Sequence, residues 1–198
     1  MKKLKRILAL CLMLCLIAML LLTARTRFKS ALQLFAETSG NTKLTQTLQN
    51  AMYRQMHDRN GEYLTIHYDS TERISAISVH SEAISVLASE MTMTLLDALE
   101  NFDDSAFGIP IGNLTDSVLL SGKGPLIPLR PIALGHIANE IQSQLESAGI
   151  NQTLHRILIR FTVAIRYLAP IEQVADTITI DLVVAETLVV GDVPIYRD

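Results

Sequence analysis

The chain has 198 residues, 49% of them apolar and 19% charged, with a formal net charge of −3, a composition that folds rather than staying disordered. The charge is uneven: seven of the seventeen Lys and Arg residues precede Ser30 and all twenty Asp and Glu residues follow it, so residues 30–198 hold ten cations against twenty anions, or −10. So acidic a portion repels phosphate backbones, which excludes nucleic-acid binding by phosphate neutralisation and leaves a protein partner as the expectation.

Lys2, Lys3, Lys5 and Arg6 open the chain, and residues 7–23 then contain no charge. At 1.5 Å per residue this stretch meets the lower limit, about 17 residues, of a membrane-spanning helix. A cleaved signal peptide is the rival reading. Its apolar region is ordinarily shorter, about 7–15 residues, and ends in a small-x-small site, whereas Leu22-Thr23-Ala24 places Leu where a small residue is required. An uncleaved anchor is therefore expected. Four basic residues lie before the span and three, Arg25, Arg27 and Lys29, after it, which favours a cytoplasmic N-terminus and a single pass. Cys11 and Cys15 both fall inside the apolar run, leaving no disulfide or thiol chemistry beyond it. Leu10 and Leu14 precede them, against lipid attachment. The expected organisation is a basic tip and anchor over 1–23, a stalk helix or linker over 24–41, and an extracytoplasmic α+β domain over 42–198.

Helical spacing recurs over 28–35 and again at Leu44, Leu48, Ala51, Met52 and Met56, with Ser39-Gly40-Asn41 as a break between two helices. After Asn60-Gly61, the β-branched and aromatic runs around Ile66 and Ile77 predict a hairpin. Ile84, Leu87, Ala88, Met91, Leu95, Ala98 and Leu99 share one face of a helix over 81–101, with Ser81 as its N-cap. Residues 107–128 hold four glycines and three prolines among apolar residues, too broken for a long element. Two readings stand: the apolar residues tuck onto the core, or the segment is a docking loop.

Alternation is clearest further on. His155, Ile157, Ile159, Phe161, Val163, Ile165 and Tyr167 face one way, and Ile178, Ile180, Leu182 and Val184 repeat the pattern, predicting two long half-buried strands. Ile137, Ile141 and Leu145 fit a strand or a helix, since a spacing of four satisfies both periods; a tight turn over 147–153 favours a hairpin. A register centred on Ile150 sets Glu140 opposite Arg160, an exposed pair that helps fix register more than stability. The predicted fold class is α+β: an N-terminal transmembrane helix, helix-hairpin-helix, then a C-terminal antiparallel β-meander.

The five histidines are scattered with no metal-ligand spacing, and no Gly-x-Ser-x-Gly elbow appears. Ser121-Gly122-Lys123-Gly124-Pro125 lacks the first glycine of a phosphate loop and reads as a turn. These absences lead to the expectation of a protein that is not an enzyme, with no catalytic, metal or cofactor-binding residue and no small-molecule substrate identified.

Four blocks in one order, Phe107-Gly108-Ile109-Pro110-Ile111-Gly112, Leu119-Leu120-x-Gly122-x-Gly124-Pro125-x-Ile127-Pro128, Glu146-Ser147-Ala148-Gly149-Ile150-Asn151-Gln152-Thr153-x-His155-Arg156 and Ala185-Glu186-Thr187-x-x-Val190-Gly191-Asp192-Val193-Pro194, resemble the signature of the sporulation protein YunB family. The resemblance implies a membrane-anchored protein of endospore-forming bacteria, made in the mother cell and needed for efficient spore formation. The expected contact loop comprises Phe107, Ile109, Pro110, Ile111, Leu119, Leu120, Gly124 and Pro125. The family-motif turns comprise Gly149, Asn151, Gln152, Thr153, Glu186, Gly191 and Asp192. Association with a protein partner or with itself is the leading functional expectation. An envelope enzyme using Glu146, Glu186 or Asp192, and a ligand- or lipid-binding module, are the alternatives.

Overall fold

The computed structural model describes residues 2–57, 61–72, 74–115, 117–149 and 151–190. Its elements are α1 (Lys2–Phe35), a π-helical turn (Ala36–Gly40), α2 (Asn41–His57), β1 (Leu64–Tyr68), β2 (Ile74–Val79), α3 (Ser81–Glu100), β3 (Gly108–Pro110), a 3-10 turn (Ile111–Leu114), β4 (Leu126–Pro128), β5 (Arg130–Ala133), β6 (Ala138–Gly149), β7 (Gln152–Leu168) and β8 (Gln173–Val190). The fold is α+β, with one helix among the described residues long and apolar enough to cross a membrane. The chain forms two compact units. The first holds Met1–Lys43, Phe102–Ile132 and Arg166–Asp176, the second Leu44–Asn101, Ala133–Ile165 and Thr177–Asp198.

In the first unit α1 presents exposed side chains from Leu10 to Arg27 and then turns inward, burying Phe28 and Leu32, and the π-helical turn after it buries Ala36. The Ser39-Gly40-Asn41 break expected from sequence is instead a π turn that keeps the helix continuous. One extra residue per turn lets the backbone continue where Gly40 packs against the Phe35 ring and carbonyl, a place where a Cβ would collide. Residues 24–41 thus contribute core side chains to this unit. β3 and β4 pair antiparallel, Ile109 opposite Ile127, and α1 lies against β3 and the 3-10 turn. Phe107 is the hub: its ring meets Phe35 edge-on at 5.4 Å, Phe102 edge-on at 5.1 Å and Tyr167 stacked at 6.0 Å.

In the second unit α2 buries Leu44, Leu48 and Met52, and α3 buries Ile84, Leu87, Ala88, Met91, Leu95 and Leu99. The cap of α3 lies one residue earlier than expected, at His80, whose carbonyl accepts the first helical bond from Ile84 N–H at 3.1 Å. The His80 ring lies 2.7 Å from the Thr65 hydroxyl across the hairpin and gives the helix no side-chain cap. β1 and β2 form that hairpin, with Ile66 opposite Ile77.

The larger sheet is antiparallel where β6 meets β7, and β5, β6 and β8 all pair with β7. Along β7 the alternation expected from sequence holds, because Ile157, Ile159, Phe161, Val163 and Ile165 are all buried. The register centres on residue 150 and sets Glu140 opposite Arg160. Gly149 and Asn151, both with positive φ, make the tight turn between the strands.

Candidate functional site

Residues 107–128 divide in two by environment. Phe107 and Ile109, expected in a contact loop, are only 1% exposed and belong to the core of the first unit. Their alternation into β3, held by the bond from Leu129 N–H to the Phe107 carbonyl at 3.0 Å, turns both inward. Neither side chain is presented to solvent in this arrangement. Pro110 is half-buried, Ile111 is exposed, and Gly124 and Pro125 sit on the exposed return of the loop.

The far end of the segment is different. Val118, Leu119 and Leu120 are 91%, 80% and 48% exposed, three apolar side chains in succession facing solvent. The turn that carries them is well fixed. Leu120 N–H donates to the Ser117 carbonyl at 3.1 Å and Lys123 N–H to the Leu120 carbonyl at 3.0 Å. The Asn113 side-chain oxygen accepts from Gly122 N–H at 2.7 Å, while Gly112 N–H donates to the Lys123 carbonyl at 2.9 Å. A side chain at position 112 would run into the Leu120 carbonyl, so glycine is what allows the tip to fold back this closely. Gly122 and Gly124 take φ of 73° and 93°, which complete the turn expected of Ser121-Gly122-Lys123-Gly124-Pro125.

The family-motif residues gather in the second unit. Gly149 and Asn151 form the β6–β7 turn and Gln152 and Thr153 start β7. Glu186 on β8 accepts from Arg156 Nε at 2.6 Å, and that carboxylate raises the Arg156 pKa. Glu186 is thus engaged in a cross-strand ion pair. Four residues further along β7, Arg160 reaches both carboxylate oxygens of Asp181 at 2.8 Å, a fork that holds the Asp181 pKa below its ordinary value. Gly191 and Asp192 lie outside the described residues. Among the described residues no group of three or more His, Cys, Asp or Glu side chains comes together to hold a metal ion.

Two polar features went unseen in the sequence. In the first unit the Tyr167 hydroxyl donates to the Asn41 side-chain oxygen at 2.7 Å, and the Asn41 amide donates to Asp176 at 2.8 Å. Burial, and then the nearby Asp176 charge, push the Tyr167 pKa upward, so the phenol remains a donor. Beyond the apolar run, Arg25 pairs with Glu172 of the β7–β8 turn at 2.5 Å. The partners in these contacts stand more than one hundred and twenty residues apart, and only the register of the folded strands reveals them.

Compared with known proteins, residues 106–196 match the family model described as Sporulation protein YunB (Spo_YunB). The chain is also similar to the sporulation protein YunB of Bacillus subtilis (strain 168), 21% identical over 162 residues, which cover 76% of this chain and 64% of that protein. The match therefore spans less than two thirds of that relative's length. No solved structure matches the chain. The block containing Phe107, the tip, the β6–β7 turn and Glu186 all fall within the matched stretch, and through residues 106–196 the chain is similar to the sporulation protein YunB family.

Proposed function

We propose that this protein is a membrane-anchored sporulation factor that works by binding a protein partner or a second copy of itself, not by catalysis. The sporulation role rests on the family model that residues 106–196 match and on the name of the similar Bacillus subtilis protein. The anchor is residues 7–23, with the N-terminus cytoplasmic, residues 24–198 on the opposite side, and the mother-cell membrane around the forespore as the location. Four basic residues before the span against three after it support that orientation.

The observation that carries the association reading is the tip at residues 118–120. Isolated apolar side chains on a surface are ordinary, but three in succession on a hydrogen-bonded turn keep apolar area in water with little freedom to collapse. A partner that covers them recovers that burial without having to order the turn. Leu119→Asp tests this. With its side chain 80% exposed, the variant is expected to unfold at the wild-type temperature, to lose its cross-linked complex in sporulating cells and to lower spore yield. An undiminished complex would remove the tip from the contact surface.

A further inference from the structure

The first unit contains a groove of about 660 Å³ lined by Leu21, Ala24 and Phe28 on α1 and by Leu114, Ile127 and Ile171, with Arg25 at the same place. Leu21 lies inside the uncharged run and Phe28 lies beyond it, so one wall of the groove continues the surface of the span. On a helix, Leu21 and Phe28 are about 10 Å apart along the axis. The headgroup layer on each face of a bilayer is about 5–8 Å thick. With residues 7–23 in the membrane, the groove begins at the edge of the hydrocarbon and extends through the headgroup layer.

The opposite wall suits that depth. Ile171 is 65% exposed on a tight turn closed by the bond from Ala169 N–H to the Glu172 carbonyl at 2.9 Å. Arg25, Arg27 and Lys29 follow the span and bring positive charge to the level of the phosphates. Glu172 in that turn is engaged by Arg25, so the acidic group nearest the apolar wall is offset by a cation.

We propose that this groove seats a phospholipid acyl chain from the leaflet in which the span ends, with Ile171 dipping into the same leaflet. The inference rests on residues 7–23 being the span. Its test uses the full-length chain in phospholipid vesicles, with Cys11→Ser and Cys15→Ser and one new cysteine, Leu14→Cys or Ile171→Cys, bearing an environment-sensitive fluorophore. Lipids carrying a nitroxide either near the headgroup or deep in the acyl chain, and iodide in the buffer, serve as the quenchers. The expected result is lipid quenching of both probes, with the probe at position 171 favouring the shallow nitroxide and shielded several-fold from iodide. A probe at 171 quenched by iodide alone, beside a lipid-quenched probe at 14, overturns the groove assignment and leaves the span in place. Loss of lipid quenching at both positions overturns the span and the groove together.

Discussion

The two compact units bury different chemistry. The first is built from three stretches of chain around aromatic rings, with Phe107 touching Phe35, Phe102 and Tyr167, and its polar chain from Tyr167 through Asn41 to Asp176 is part of the packing. The second is mostly aliphatic, Ile84, Leu87 and Leu95 from α3 and Ile157, Ile159 and Val163 from β7, with Phe161 and Tyr63 as its buried aromatic residues among those described, and His155 is its buried polar residue among those described, its ring 2.8 Å from the Ser143 hydroxyl. One core concentrates its contacts in a few large and polar groups, while the other spreads them over many similar ones. The first is therefore expected to be sensitive to single substitutions and to pH, and the second to yield gradually.

The sharpest test sets Phe107→Ala against Ile159→Val. Losing the ring from the aromatic hub is expected to destabilise the first unit by about 3–5 kcal/mol, and trimming one methyl in the second by about 0.5–1.5 kcal/mol. Denaturant unfolding followed separately in each unit measures both. Equal losses would mean that the aromatic hub is no more concentrated than the aliphatic core.

Asn41→Leu probes the polar chain. It takes the acceptor from the buried Tyr167 hydroxyl and is expected to cost about 1–3 kcal/mol. Adding Tyr167→Phe should restore part of that loss, since the orphaned hydroxyl is then gone. Additive losses would show that the two groups are not coupled. The same phenol gives the first unit an alkaline weakness. Its folded-state pKa is raised above the ordinary 10.0, so its contribution is complete below that value and fades as pH climbs toward the raised one.

The smallest effect belongs to Asp181→Asn in the second unit. Asp181 has a lowered pKa because of the Arg160 fork. The stability it lends is present above the ordinary carboxylate value of 3.8 and disappears as pH falls through the depressed one. The pair is solvent-exposed and screened, so wild type and variant should differ slightly at neutral pH and converge in acid. A difference that persists in acid would assign the effect to packing instead.

Much of the second unit was legible because its elements obey one period each. The alternation from His155 to Tyr167 and the face from Ile84 to Leu99 each state which side is buried, and the turn centred on residue 150 fixed the Glu140–Arg160 register. The first unit was less legible for a physical reason. Residues 107–128, rich in glycine and proline, carry no period, so nothing in the sequence separates the buried Phe107 and Ile109 from the exposed Leu119. Gly40 carries the usual signal of a helix break, yet the backbone accommodates it by a wider turn. Asn41 reads as a break residue too, and its real partners, Tyr167 and Asp176, are set by strand placement that no local pattern encodes.

On the proposed reading that residues 7–23 are the anchor, the short helical run from residue 23 to the buried Phe28 would set the mechanics of the tether. Five residues of helix rise about 8 Å, so there is no slack on which the first unit could swing away from the lipid surface. A ball on a string searches a volume, whereas a post of fixed height searches only a plane. On the same proposed reading, a partner of residues 118–120 would have to arrive at that height, and lateral diffusion in the membrane would then set how often the two meet.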